Sequence, residues 1–217
     1  MTDFPLPFTG ERFTPECVRE IWYEHMHRYA FAQRFVQGGR VLDAACGEGY
    51  GSQLLAQAGA DVLGLDISSE AIAHARVRYA GQAGLRFDCL DVTTLKALPD
   101  ASFDVIVSFE TLEHVHAQEA MLDGFARLLA PDGLLLISSP DKRTYSDLRG
   151  YRNEHHVREL YRDELDRLER YAQAHAAPPA WSPAQSPPYA DAEASRRATP
   201  CATTGSASSP TASSLPP

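Results

Sequence analysis

Across residues 40–138, short apolar runs alternate with stretches in which apolar positions recur every three or four residues. The runs fall at 41–45, 61–66, 85–88, 103–108 and 134–138, and each is short enough to be one strand. Helical periodicity follows at 52–58, from Ser68 or Ser69 to about 80, and over 117–129. Gly59 is placed to end the first helix, a serine hydroxyl to cap the second, and Pro131-Asp132-Gly133 to turn the chain into the last strand. Strands that alternate with helices imply a parallel sheet covered on both faces. The strands are nearly continuous apolar runs, as burial on both faces demands. The prediction is a three-layer α/β sandwich with five strands.

The flanks follow other patterns. Residues 1–15 are rich in Pro and Phe, and residues 16–37 turn helical and aromatic. This segment reads either as a helix packed on the domain or as a lid with Arg28 and Tyr29 facing inward, and Gly38-Gly39 ends it. Residues 155–175 read as a helix through Leu160, Leu165 and Leu168. From residue 177 the chain is Ala, Pro, Ser and Thr and holds nine of the fifteen prolines. Such a segment buries too little apolar surface to offset its ordering entropy, so disorder is expected. The abrupt change is consistent with out-of-frame translation of a longer gene. The expected division is 1–38, N-terminal segment and lid helix; 39–176, α/β domain; 177–217, tail.

Composition narrows the class. A hydrophobic share of 44% and a charged share of 23% suit a globular protein, and a formal charge of −9 argues against general nucleic-acid binding. No run is long enough to span a membrane, and the four cysteines (Cys17, Cys46, Cys89, Cys201) lack metal or redox spacing. They read as reduced thiols in a cytoplasmic protein.

Candidate chemistry begins where the first strand ends. Asp43-Ala44-Ala45-Cys46-Gly47-Glu48-Gly49-Tyr50-Gly51 carries a glycine at every second position of a turn that opens a helix. Such a turn lets a ligand approach the main chain beside the helix N-terminus. A dinucleotide turn has GxGxxG; here the spacing is GxGxG with Ser52 next, which disfavours a nicotinamide cofactor. Asp66 closes the second strand, where a carboxylate can take both hydroxyls of a ribose. Asp91 and Val92, after the third strand, can meet an adenine amino group and ring nitrogen. Phe109 follows the fourth strand, at the C-terminal edge of the sheet. Glu110, Glu113 and His114 follow at i, i+3 and i+4, one face of a helical turn.

This ordered set resembles the class I S-adenosylmethionine-dependent methyltransferases over residues 20–170. The resemblance implies a Rossmann-like fold of seven strands, of which the last two are missing here. It implies cofactor binding by Arg28, Asp43, Ala45, Gly47, Gly49, Asp66, Ile67, Asp91, Val92 and Phe109. Gly47 and Gly49 would pack on the methionine portion, Asp66 would hold the ribose, and Asp91 with Val92 the adenine. Arg28 resembles an arginine that pairs with the cofactor carboxylate in ubiquinone-pathway O-methyltransferases.

Glu110, Glu113 and His114 resemble a divalent-ion site of those enzymes and of small-RNA 2'-O-methyltransferases, which implies Mg²⁺ or Mn²⁺, with His156 as a further ligand. His114, then His156, are the candidates for the base that deprotonates the acceptor. Residues 10–16 and 153–161 are similar to bacterial methyltransferases associated with surface polysaccharides, so the acceptor is expected to be a sugar, a glycan precursor or another small hydroxylated molecule. A metal-dependent phenol O-methyltransferase, an inactive cofactor-binding chain and, less favoured, an NAD-dependent oxidoreductase stay open. Lys142, Arg143, Arg149 and Arg152 border the expected acceptor side.

Overall fold

The computed structural model describes residues 20–175. The expectations for residues 1–19 and for the 177–217 tail lie outside the described residues.

Five strands form in chain order: β1 Arg40–Ala44, β2 Asp61–Asp66, β3 Leu85–Cys89, β4 Phe103–Phe109 and β5 Leu129–Ser138. Their order across the sheet is β3-β2-β1-β4-β5, and every pairing is parallel. The helices are α1 Glu20–Ala32, α2 Tyr50–Gln57, α3 Ser69–Arg78, α4 Gln118–Leu128 and α5 Arg162–His175. The expected parallel α/β sandwich is therefore present, with β3 and β5 at its edges.

Strand alternation sorts the core into two faces. Val41, Val62, Val105 and Val107 point to α1 and α2, where they meet Ala32, Leu55 and Ala56. Leu42, Leu65 and Ile106 point the other way, to Met121, Leu122, Phe125 and Leu128 of α4, with Leu165 and Leu168 of α5 packed against them. The first face continues over β3 through Ile72, Ala75 and Phe87. Ser68 caps α3 by accepting from the Ala71 amide at 3.2 Å.

Three boundaries differ from expectation. First, α1 ends at Ala32 and the chain reaches Gly38 through turns. Second, β5 begins at Leu129, and residues 130–133 form an irregular insertion between the Phe103–Leu129 and Val105–Leu134 pairs, so the predicted turn lies inside the strand. Third, residues 155–161 are not helical. The amides of Val157 and Arg158 donate to the Glu113 carbonyl at 2.9 and 3.1 Å, which binds this stretch to a distant turn. Buried Gln118 reinforces that attachment: its Nε2 donates to the carbonyls of Leu112 and Arg158 at 2.8 and 3.0 Å. Among the described residues, no helix is long and apolar enough to cross a membrane.

Candidate active site

β2 and α2 lie to one side of β1, and β4 follows on the other, so the strand order reverses between β1 and β4. Ligands of open α/β sheets bind in the crevice at such a point, beyond the carboxyl ends of the strands. Both chain exits there are strained: Ala45, after β1, has φ 61°, and Glu110, after β4, has φ 52°. Non-glycine residues adopt these angles at a cost of about 1–3 kcal/mol, and such positions cluster at functional sites.

A cavity of about 720 Å³ opens at this place. Gly47, Asp66, Ile67, Asp91, Val92 and Phe109 line it, as do Ala45, Glu110, Glu113, His114 and His156. Asp66 is held at the mouth by two amides, Gly47 at 2.9 Å and Ser68 at 2.8 Å. Asp91 accepts from the Thr93 amide and hydroxyl, both at 2.8 Å. One carboxylate after each of β2 and β3 thus faces the same hollow as the turn after β1.

Two motif residues stand behind the wall. Gly49 has φ 80°, and a Cβ there would come within 2.5 Å of the Phe87 ring, so this glycine serves the packing of α2 on β3. Asp43 is fully buried and accepts from Tyr29 Oη at 3.0 Å and Ser52 Oγ at 2.6 Å. Burial pushes its carboxyl up to about 6, although both hydrogen bonds pull the other way. Neither residue lines the cavity.

α1 closes one side of it. Tyr29 lines the cavity and meets Tyr50 and Phe109 edge-on, with both ring pairs 5.3 Å apart. The Tyr29 ring sits where Gly51 lacks a side chain; a Cβ there would fall 2.0 Å from Tyr29 Cζ. His25 meets the Tyr50 hydroxyl at 3.0 Å, and burial followed by the nearby Arg28 lowers its imidazole to about 4. Arg28 does not line the cavity but pairs through Nη2 with Glu110 Oε1, a lining residue, at 3.3 Å. Its Nη1 is buried with no hydrogen-bond partner among the described residues.

The other end of the cavity is rich in histidine. Residues 112–114 form a 3-10 turn instead of the expected helical turn, and the positive φ at Glu110 separates that carboxylate from the face of the other two. Glu110 instead accepts from Ser138 Oγ at 2.7 Å. Glu113, His114 and His156 converge, with one ligand atom of each within 4.8 Å of the others. Glu113 accepts from Ser139 Oγ at 3.0 Å; burial, with the like charge of Glu110, raises its carboxyl to about 8. The His114 and His156 rings stand edge to face, 4.9 Å apart. His114 Nδ1 meets the His155 carbonyl at 3.0 Å, which fixes Nδ1 as its donor nitrogen.

Sequence reasoning missed Tyr145, Asn153 and Glu159. Tyr145 and Asn153 line the cavity, and Tyr145 stacks on His156 at 5.2 Å. Asn153 and Glu159 fall inside the 153–161 stretch that the resemblance marks, but nothing in local spacing gave them a role, and Tyr145 carried no signal. Of the basic run, Arg143, Arg149 and Arg152 are exposed, and none of the four residues lines the cavity.

Comparison with known proteins agrees with this architecture. Residues 42–137 match a family described as a methyltransferase domain. A probable S-adenosylmethionine-dependent methyltransferase of Mycolicibacterium smegmatis is 38% identical over 167 residues, which cover 75% of this chain and 63% of that one. A ubiquinone biosynthesis O-methyltransferase of Idiomarina loihiensis is 35% identical over 122 residues, 55% of this chain and 50% of the relative. The chain thus spans less than two thirds of the length of these relatives. The YcgJ protein of Bacillus subtilis shares the fold at a TM-score of 0.62 and 23% identity, covering 69% of this chain and 68% of that one.

Proposed function

From the premise that this chain belongs, through residues 42–137, to the class I S-adenosylmethionine-dependent methyltransferases, we propose that it methylates a hydroxyl group of a sugar, a glycan precursor or another small hydroxylated molecule. One observation carries the proposal: a single cavity joins the Gly47–Asp66 mouth to the His114–His156 pair. Donor and acceptor ends therefore share one hollow.

The residues present fit the cofactor. Arg28 Nη1, buried with no hydrogen-bond partner among the described residues, belongs to a guanidinium held at Glu110 beyond β4 and is suited to the amino-acid carboxylate. Asp66 would hold the ribose, and Asp91 with Val92 the adenine. Ala45, Gly47, Ile67 and Phe109 form the walls. Asp43 supports the wall from behind through Tyr29 and Ser52. When bound, S-adenosylmethionine supplies a methyl group on a sulfonium, an electrophile ready for in-line displacement. The chain has to align the acceptor oxygen, exclude water and accept one proton. Alignment can supply several kcal/mol, on the order of 7–11 in the best intramolecular cases. An aliphatic hydroxyl holds its proton more tightly than a phenol does, so a sugar needs the histidine pair more. The 153–161 stretch, which carries the likeness to polysaccharide-associated enzymes, provides His155 and His156 to the cavity.

The deciding experiment is calorimetry followed by methyl transfer. S-adenosylhomocysteine should bind, Asp66→Ala should weaken it at least tenfold, and NAD should not bind. Label from S-adenosylmethionine should then pass to a member of a panel of methyl glycosides and catechols. Absence of S-adenosylhomocysteine binding would refute the reading.

The convergence of Glu113, His114 and His156 favours a second reading, in which a divalent cation sits among them. Two imidazoles with one carboxylate suit Mn²⁺ or Zn²⁺ better than Mg²⁺, which prefers oxygen. Such an ion would lower the pKa of a bound hydroxyl. It supports the phenol alternative that the ubiquinone-pathway relatives raise. Methyl transfer unaffected by a chelator would exclude it.

A further inference from the structure

On the methyl-transfer reading, we propose that Glu159 is a positioning residue that fixes His156 in the tautomer whose Nε2 takes up the proton of the acceptor hydroxyl. A chain of hydrogen bonds leads to His156, and its direction is forced at every link. The His155 amide can only donate, and it donates to Asn153 Oδ1 at 3.0 Å. The side-chain amide of Asn153 is thereby oriented, and its Nδ2 donates to Tyr145 Oη at 3.2 Å and to His156 Nε2 at 3.0 Å. A nitrogen that accepts carries a lone pair, so in the neutral ring the proton is on Nδ1. That proton points to Glu159 Oε1 at 2.6 Å, and Ser146 Oγ donates to the other carboxylate oxygen, Oε2. His156 and Glu159 side chains are only 7% and 9% exposed, which shields the pair from competing water.

Position separates the two ring nitrogens. Asn153, on Nε2, lines the cavity; Glu159, on Nδ1, does not. The basic nitrogen is therefore on the cavity side, with the carboxylate behind the ring. An acceptor hydroxyl would take over the lone pair that Asn153 now satisfies, and Asn153 would keep Tyr145. The hydroxyl proton passes to Nε2 as its oxygen bonds the methyl carbon, and the electron pair of the broken sulfur–methyl bond stays on sulfur. The resulting imidazolium sits against a carboxylate, which is the geometry of a base oriented by a third group. At His114 it is a backbone carbonyl, that of His155, that meets Nδ1.

The test uses the full chain with S-adenosylhomocysteine and a chelator. Nitrogen-15 histidine spectra, with the His156 signals assigned by His156→Gln, report which ring nitrogen is protonated. In the parent protein, Nδ1 should show the protonated shift and Nε2 the lone-pair shift. Asn153 holds the same tautomer from the other side, so the spectra are read in Asn153→Ala: the assignment should persist there, be lost when Glu159→Leu is added, and be restored by Glu159→Gln, whose amide oxygen can still accept from Nδ1. Unchanged S-adenosylhomocysteine affinity in these variants shows that they are folded. With a methyl glycoside that the parent methylates, kcat should fall at least tenfold in Glu159→Leu, with KM for the cofactor unchanged. His156 protonated on Nε2 in the parent, a parent-like spectrum when Asn153→Ala and Glu159→Leu are combined, or a Glu159→Leu kcat like the parent's, would overturn the proposal. If the parent methylates none of the panel, the methyl-transfer reading fails while the spectra still decide the role of Glu159.

Discussion

Replacing Asp43 with asparagine tests how the floor of the cavity is held. The Asp43 carboxyl is fully buried, and two hydroxyls donate to it, Tyr29 at 3.0 Å and Ser52 at 2.6 Å. Loss of water outweighs these two bonds, and the carboxyl titrates near 6 instead of 3.8. The folded protein therefore keeps a proton on Asp43 at pH values where the unfolded chain has released it. Stability from this source is fully present below the unfolded value. It falls as pH rises and is gone above about 6. A shift of roughly two units corresponds to about 3 kcal/mol. The substituted side chain cannot titrate, yet its carbonyl can accept from Tyr29 and its amide can donate to a rotated Ser52 hydroxyl. Urea unfolding of both proteins between pH 4 and pH 7, without ligand, gives the difference in unfolding free energy, from which other titrating groups cancel. Parent minus Asp43→Asn should fall by about 2.5 kcal/mol across that range, which leaves out the part of the window below pH 4. A difference that stays constant to within about 0.5 kcal/mol would show that Asp43 ionises as readily in the fold as in the unfolded chain, and the desolvation argument would fail.

Other substitutions probe the walls. Gly51→Ala puts a methyl group into the Tyr29 ring, 2.0 Å from Cζ, and should destabilise by about 1–3 kcal/mol; an unchanged melting temperature would contradict the packing. Tyr29→Phe leaves one oxygen of buried Asp43 without its donor and should cost about 1–3 kcal/mol in urea unfolding. Gln118→Ala frees the Leu112 and Arg158 carbonyls; amide exchange at residues 157 and 158 should accelerate, while S-adenosylhomocysteine affinity holds. If Glu113 ligates a cation, it must first lose a proton it holds up to about pH 8. Mn²⁺ affinity should then climb about tenfold per pH unit below 8 and level off above it. A flat calorimetric profile from pH 6 to pH 9 would remove Glu113 from the ligand set.

What the sequence revealed and what it hid divide along one physical line. The strands were legible because both of their faces are buried: Val41 and Leu42, or Val105 and Ile106, face opposite layers, so each strand reads as a continuous apolar run. Gly47 and Asp66 were legible as a pair because βα order places both at carboxyl ends of adjacent strands. Local spacing failed where a distant partner sets the conformation. Glu110 was expected to share a face with Glu113, but its positive φ ends β4 abruptly, and its carboxylate turns to Arg28 and Ser138. Residues 155–161 satisfy a helical pattern, yet two of their amides bond to the carbonyl of Glu113, more than forty positions earlier. Gly49 and Asp43 belong to the same motif as Gly47, but the neighbours that explain them, Phe87 and Tyr29, come from β3 and α1. The acceptor wall is the extreme case. Tyr145, Asn153, His156 and Glu159 gain their chemistry from hydrogen bonds to one another, in a segment that Gln118 and the Glu113 carbonyl pin to the 112–114 turn. Loss of that attachment should therefore disable the acceptor end and leave the cofactor end intact, a separation that acceptor and S-adenosylhomocysteine binding to Gln118→Ala would measure side by side.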